Sequence, residues 1–283
     1  MALLTTGVVA TSTPAQAVTG CGGVVKKADG TPWTCTFADN FYGTSLNREK
    51  WYPMTTVESG YAINGDCYFD SAQNIRVTGG TLKLTARRTS RPLQCKSPTG
   101  GWSSSYTAGS LSTVGRFSQA YGRYEIRAKL PTSKVAGAHS AWWLWPERQL
   151  FGGWPYAGEI DIAEYYTKYP DRAIPYVHYV RRDAPESPGA SNNYCMVTRP
   201  TDFHTYTLVW DKTSLTISYD GKTCLRHTIS PALGILGLLK PGEPFNRPFT
   251  LVLTQGVGVN QNSPTSRTPF PASMVVDYVR VWS

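Results

Sequence analysis

Short runs of alternating apolar and polar residues recur along this 283-residue chain, and each ends within a few positions at glycine or proline. Alternation sends successive side chains to opposite faces of an extended strand, so each run offers one face to a core and one to water. Residues 74–78 and 82–86 flank Gly79 and Gly80 as the two arms of a hairpin. Residues 124–130 alternate up to Pro131, and further runs cover 206–210, 215–219, 249–253 and 274–282. Asp220 and Gly221 mark a tight turn before Cys224. Helix patterns are scarce: only residues 231–240 suit a short helix, and they contain Gly234 and Gly237. Many short strands punctuated by 26 glycines and 20 prolines predict an all-β chain, an antiparallel β-sandwich or barrel. No proline- or serine-rich linker follows residue 40, so residues 18–283 read as a single domain.

The first 17 residues stand apart. An apolar run from Ala2 to Ala10 leads to an Ala15-Gln16-Ala17 step, the late part of a secretory signal cleaved after Ala17, although no lysine or arginine precedes Lys26. The six cysteines include no CxxC pair or other zinc-like spacing. An even number beside an export-like leader predicts three disulfides in a secreted protein. Six cysteines allow 15 pairings. Joining sequence neighbours, Cys21 with Cys35, Cys67 with Cys95 and Cys195 with Cys224, closes short local loops and is preferred among them.

The chain has a net charge of +9, yet Lys26-Lys27, Arg87-Arg88 and Arg181-Arg182 are scattered pairs, so a nucleic-acid partner is not expected. No apolar stretch reaches the roughly 20 residues of a spanning helix, so no membrane partner is expected either. His139, His178, His204 and His227 form no HExxH motif, and Ser140 stands in no GxSxG turn. No loop has the glycine pattern that cradles a nucleotide. By position, His139, His204 and His227 read as structural or surface groups.

The most informative segment is Gly158-Glu159-Ile160-Asp161-Ile162-Ala163-Glu164-Tyr165. On a strand, Glu159 and Asp161 share one face and Ile160 and Ile162 the other. Simple alternation would send Glu164 inward with the isoleucines, leaving an unpartnered charge in the core. A one-residue β-bulge near Ala163 reverses the parity and returns Glu164 to the acidic face. Three carboxylates on one surface raise the cost of ionising one another and titrate as a group. Glycoside hydrolysis has a use for such a set, because a retaining enzyme needs one carboxylate nucleophile and one carboxylic acid/base. Trp142-Trp143-Leu144-Trp145 precedes this strand, with Trp143 and Trp145 on one face and Trp142 on the other.

These residues resemble glycoside hydrolase family 16, whose signature is E-x-D-x-x-E or E-x-D-x-E. The chain has the longer, bulged form, similar to the laminarinases of that family. Residues 121–131 resemble the family's strand before the active site, and Trp154-Pro155-Tyr156-Ala157-Gly158 its approach to the acidic strand. The closing Val276-Asp277-Tyr278-Val279-Arg280-Val281 matches as well. The resemblance implies a concanavalin A-like jelly roll. It also implies that Glu159 is the nucleophile, Asp161 its helper and Glu164 the acid/base. Trp143 and Trp154 correspond to glucan-stacking tryptophans and His178 to an active-site histidine. Where laminarinases read W-P-A-F-W, this chain has His139-Ser140-Ala141-Trp142-Trp143. Where they have an asparagine and a Gly-Gly-x-Trp loop, it has residues 254–260. Asp277 fits one position of the family's structural calcium site, and Asn40 stands where a glutamate is usual.

The expectation is a secreted, monomeric, retaining endo-glycosidase acting on internal β-1,3 or mixed β-1,3/1,4 linkages of glucans, with a polysaccharide as its partner. It requires no cofactor beyond a possible structural calcium. Action on a β-galactan and transglycosylation are alternatives within the family. The alternative from another class is a non-catalytic, lectin-like binder, which has no need of three clustered carboxylates.

Overall fold

The computed structural model describes residues 20–131, 133–185 and 189–283. The expected secretory segment, residues 1–17, lies outside the described residues. The architecture is the expected all-β sandwich. Its inner sheet runs Ala190–Ser191, Ile174–His178, Glu159–Tyr166, Ala138–Pro146, Phe249–Val257 and Gly100–Ser112. Its outer sheet runs Thr81–Ser97, Ala272–Trp282, Gly122–Lys129, His204–Trp210, Ser214–Tyr219 and Lys222–Thr228. The long strands Thr81–Ser97 and Gly100–Ser112 join the two sheets, because the first pairs with Ala272–Trp282 at one end and with the second at the other.

The turns follow the sequence. Thr78 and Thr81 are directly opposed around Gly79 and Gly80, both at positive φ (57° and 73°), as a two-residue hairpin loop matched to strand twist requires. Asp220 and Gly221 repeat this geometry, with φ of 48° and 77°. The segment 231–240 corrects the sequence expectation. Leu233–Gly234 and Gly237–Leu238 pair as a small antiparallel ladder instead of a helix. Two glycines in ten residues lower helix propensity by about 1 kcal/mol each. The Ile235 N–H is engaged by the Phe151 carbonyl.

The core lies between the sheets. The acidic strand contributes Ile160, Ile162 and Tyr165, and its neighbour contributes Trp142 and Leu144. They pack with Ile126, Leu208, Trp210 and Ile217 from the outer sheet. Each fully buried isoleucine or leucine stabilises the fold by roughly 1.5–3 kcal/mol, so this packing fixes the facing of every strand. The three disulfides are the neighbour pairs Cys21–Cys35, Cys67–Cys95 and Cys195–Cys224. Among the described residues, no helix is long and apolar enough to cross a membrane.

Candidate active site

Gly158 opens the acidic strand Glu159–Tyr166 at a φ of 82°, and a Cβ there would lie 3.0 Å from the Phe245 ring. Only glycine satisfies both conditions without strain. Beyond it the strand pairs Trp143 with Asp161 and Trp142 with Ala163, so Ile162 is an extra residue relative to its neighbour. On the other side, Ile174 pairs with Glu164 and Tyr176 with Asp161. The bulge therefore faces Pro175, which has no N–H to give to a regular ladder. The buried Tyr219 hydroxyl reaches across from the outer sheet and donates to the Ile162 carbonyl at 2.9 Å. Ile162 remains in the core, while Glu159, Asp161 and Glu164 all line one cleft.

This cleft holds about 900 Å³. Its floor comes from the alternation along Ala138–Pro146: His139, Ala141, Trp143 and Trp145 face the cleft, whereas Trp142 and Leu144 face the core, and the pattern ends at Pro146, which also lines the cleft. Trp143 donates from Nε1 to the Thr254 hydroxyl at 3.1 Å and stacks on Tyr61, with centroids 6.1 Å apart. Trp145 meets Trp143 edge-on at 5.8 Å. Trp154 stands at the cleft edge, 53% exposed, and donates from Nε1 to Glu159 Oε2 at 2.6 Å.

The carboxyl groups differ in surroundings. Carboxyl oxygens of Glu159 and Asp161 and a ring nitrogen of His178 lie within 4.8 Å of one another. His178 Nε2 is 3.1 Å from Asp161 Oδ2, and its ring stacks on Tyr176. Burial lowers the pKa of His178, which favours a neutral ring. Burial, reinforced by the charge of Glu164, raises Asp161 well above the usual carboxylate range. Burial and then the neighbouring Asp161 push Glu159 up to about 8, against the Trp154 hydrogen bond and whatever positive charge His178 takes up. A proton resting on Asp161 removes the second of those influences and eases the ionisation of Glu159, so the group shares its protons. Burial acts on Glu164 too, but the hydrogen bond and charge of His139, then the Tyr166 hydrogen bond and the charge of His178, outweigh it and bring this carboxyl below its ordinary value.

His139 and Tyr166 were not legible as site residues. His139 read as structural from its lack of a partner in sequence, yet its Nε2 is 3.2 Å from Glu164 Oε1. Parity does carry a signal, because His139 shares a face with Trp143, and Tyr166 follows Glu164 by two. Asp277 lies away from the cleft. It is the extra residue of a second bulge, between Val276 opposite Ala128 and Tyr278 opposite Arg127. Its carboxylate pairs with the Arg127 guanidinium at 2.5 Å. Asn40 Oδ1 accepts from the Arg280 guanidinium at 2.8 Å, and Lys50 Nζ donates to the Ala38 carbonyl at 2.5 Å. Each of these oxygens already meets a side-chain cation, which the possible calcium at Asp277 would have to displace.

The family profile of the glycosyl hydrolases family 16 matches residues 65–237. The chain belongs to that family. A beta-glucanase of Rhodothermus marinus is 32% identical over 88% of this chain and 85% of its own length. The glucan endo-1,3-beta-glucosidase A1 of Niallia circulans is 31% identical over 86% of this chain, which spans only 37% of that relative's length. Among solved structures, an endo-beta-1,3-glucanase from Pyrococcus furiosus superposes with a TM-score of 0.74. It shares 28% identity, covering 92% of this chain and 97% of that one.

Proposed function

We propose that this family 16 chain is a secreted retaining endo-glycosidase that cuts internal β-1,3 or mixed β-1,3/1,4 linkages of a neutral glucan. The observation that carries this reading is the bulged acidic strand, which brings Glu159, Asp161 and Glu164 to one aromatic-walled cleft. The glucanase relatives support the substrate class, and three disulfides fit an oxidising compartment.

In the first half-reaction, with a proton of the coupled carboxyl group placed on Glu164 against its lowered proton affinity, Glu164 passes that proton to the glycosidic oxygen as the bond from that oxygen to the anomeric carbon breaks. The Glu159 carboxylate attacks the same carbon and forms a glycosyl ester. In the second half, Glu164, now a carboxylate, takes a proton from water as the water oxygen displaces Glu159. Asp161, carrying a proton shared with His178, keeps a second negative charge away from the nucleophile. Trp143, Tyr61 and Trp154 offer aromatic faces to sugar rings.

The test is hydrolysis of laminarin, lichenan, curdlan and a β-galactan, with the anomer of the first product read by NMR. The expected result is cleavage of the first two with initial β-anomer, and Glu159→Gln folded but inactive. An active Glu159→Gln variant, or initial α-anomer, would overturn the assignment. Cleavage of the galactan alone would replace the substrate class.

A further inference from the structure

Two donors converge on a single oxygen of Glu164. Tyr166 donates its hydroxyl proton to Oε1 at 2.7 Å, and His139 Nε2 is 3.2 Å from the same atom. Among the described residues, no donor reaches Oε2. His139 and Tyr166 form a direct cross-strand pair, stacked with centroids 4.6 Å apart and planes at 26°. Ala141, the residue opposite Glu164, is small enough to let the carboxyl lean diagonally towards His139. His139 is 94% buried by its 6% exposure, and its Nδ1 has no hydrogen-bond partner. A hydrogen on Nδ1 would be a buried donor without an acceptor. The hydrogen on Nε2 is therefore the one this ring can donate, and the geometry aims it at Glu164 Oε1.

We propose that His139 and Tyr166 are positioning residues that jointly occupy Oε1 of Glu164 and so assign Oε2 as the oxygen that delivers and later takes up the proton. The inference rests on reading Glu164 as the acid/base. Two donors on Oε1 hold the carboxyl plane fixed and aim Oε2 into the cleft. They also favour the ionised form, which the second half-reaction uses as its base, whereas burial favours the protonated form needed in the first. The other titratable groups facing Glu164 are Asp161 and Glu159 on its own strand, His178 on Ile174–His178 and Tyr219 from the outer sheet. None of these is hydrogen-bonded to either oxygen of Glu164.

The test compares His139→Leu, His139→Gln and Tyr166→Phe by the pH profile of kcat/KM on laminarin. A dinitrophenyl oligoglucoside, whose leaving group needs no proton, serves as the second substrate. Removing a donor from the carboxylate lets it keep its proton to higher pH. The alkaline limb should therefore move up by about one pH unit in His139→Leu and in Tyr166→Phe. Turnover of laminarin should fall about tenfold or more, while the activated substrate stays within about threefold of wild type. His139→Gln keeps an N–H and should restore most of both effects. Tyr166→Phe tests the proposal independently if His139→Leu fails to fold. Unmoved limbs, or equal losses on both substrates, would overturn the positioning role. Glu164→Gln separates the layers: inactive on laminarin, it leaves the acid/base reading standing whatever the positioning variants do. Fully active, it removes that reading and this inference together.

Discussion

Replacing Glu159 with glutamine should stabilise the folded protein, and only above mildly acidic pH. Glu159 rises from an ordinary 4.5 to about 8 because burial and Asp161 oppose its charge. The folded chain thus binds a proton that the unfolded chain has released, and folding loses free energy as pH climbs between those two values. At 1.36 kcal/mol per unit, the full displacement sets a ceiling of about 5 kcal/mol. The cleft is open to water, and proton sharing with Asp161 relieves part of the strain, so about 2–3 kcal/mol is expected. Glutamine keeps the shape and an oxygen to accept from Trp154 Nε1, but it never ionises. Urea unfolding followed by tryptophan fluorescence at pH 4.5 and pH 9 reads the difference. Wild type and variant should agree within about 0.5 kcal/mol at the lower pH, with the variant more stable by the stated amount at the higher. A variant that gains nothing at pH 9, or gains equally at both, would refute the idea that this carboxyl is ionised at the fold's expense. The expected pattern is that of a catalytic group retained against stability.

Other expectations follow from single contacts. Trp154→Ala removes the donor that favours ionised Glu159. The acid limb of kcat/KM should therefore move to higher pH, with little loss of melting temperature because the ring is half exposed. Tyr219→Phe deletes the hydroxyl that reaches the Ile162 carbonyl and should cost about 1–3 kcal/mol in urea unfolding, with kcat falling more than KM rises. Adding a calcium chelator should leave the melting temperature within about 1 °C, because Arg127 and Arg280 already satisfy Asp277 and Asn40; a larger fall would show that a bound ion matters. Reducing the disulfides should lower stability by roughly 2–4 kcal/mol for each bridge opened, read as a drop in denaturation midpoint.

The acidic strand was legible because charge and parity conflict within it. Glu164 in phase with Ile160 and Ile162 is physically costly, and one inserted residue resolves the conflict. Local turn chemistry likewise made Gly79-Gly80 and Asp220-Gly221 readable. What the sequence hid depends on register between distant segments. His139 and Tyr166 are 27 positions apart, and nothing local says that they face each other. Asp277 looked free for a cation because its partner Arg127 lies on a neighbouring strand, brought there by a second irregular register. Residues 231–240 misled because a short apolar run with glycines suits a helix or a tight hairpin, and contact with Phe151 decides between them.

The Tyr219 tether ties the aim of the cleft to a residue on the far layer of the sandwich. If the layers slid past each other by even an ångström or two, that hydroxyl would tug on the inserted residue and swing the proton donor away from its target. Efforts to retune the reaction that redesign only the sugar-facing wall would thus overlook half of the machinery. Changes in how the outer layer packs around Tyr219 offer a route to altering turnover without touching a single group that meets the sugar.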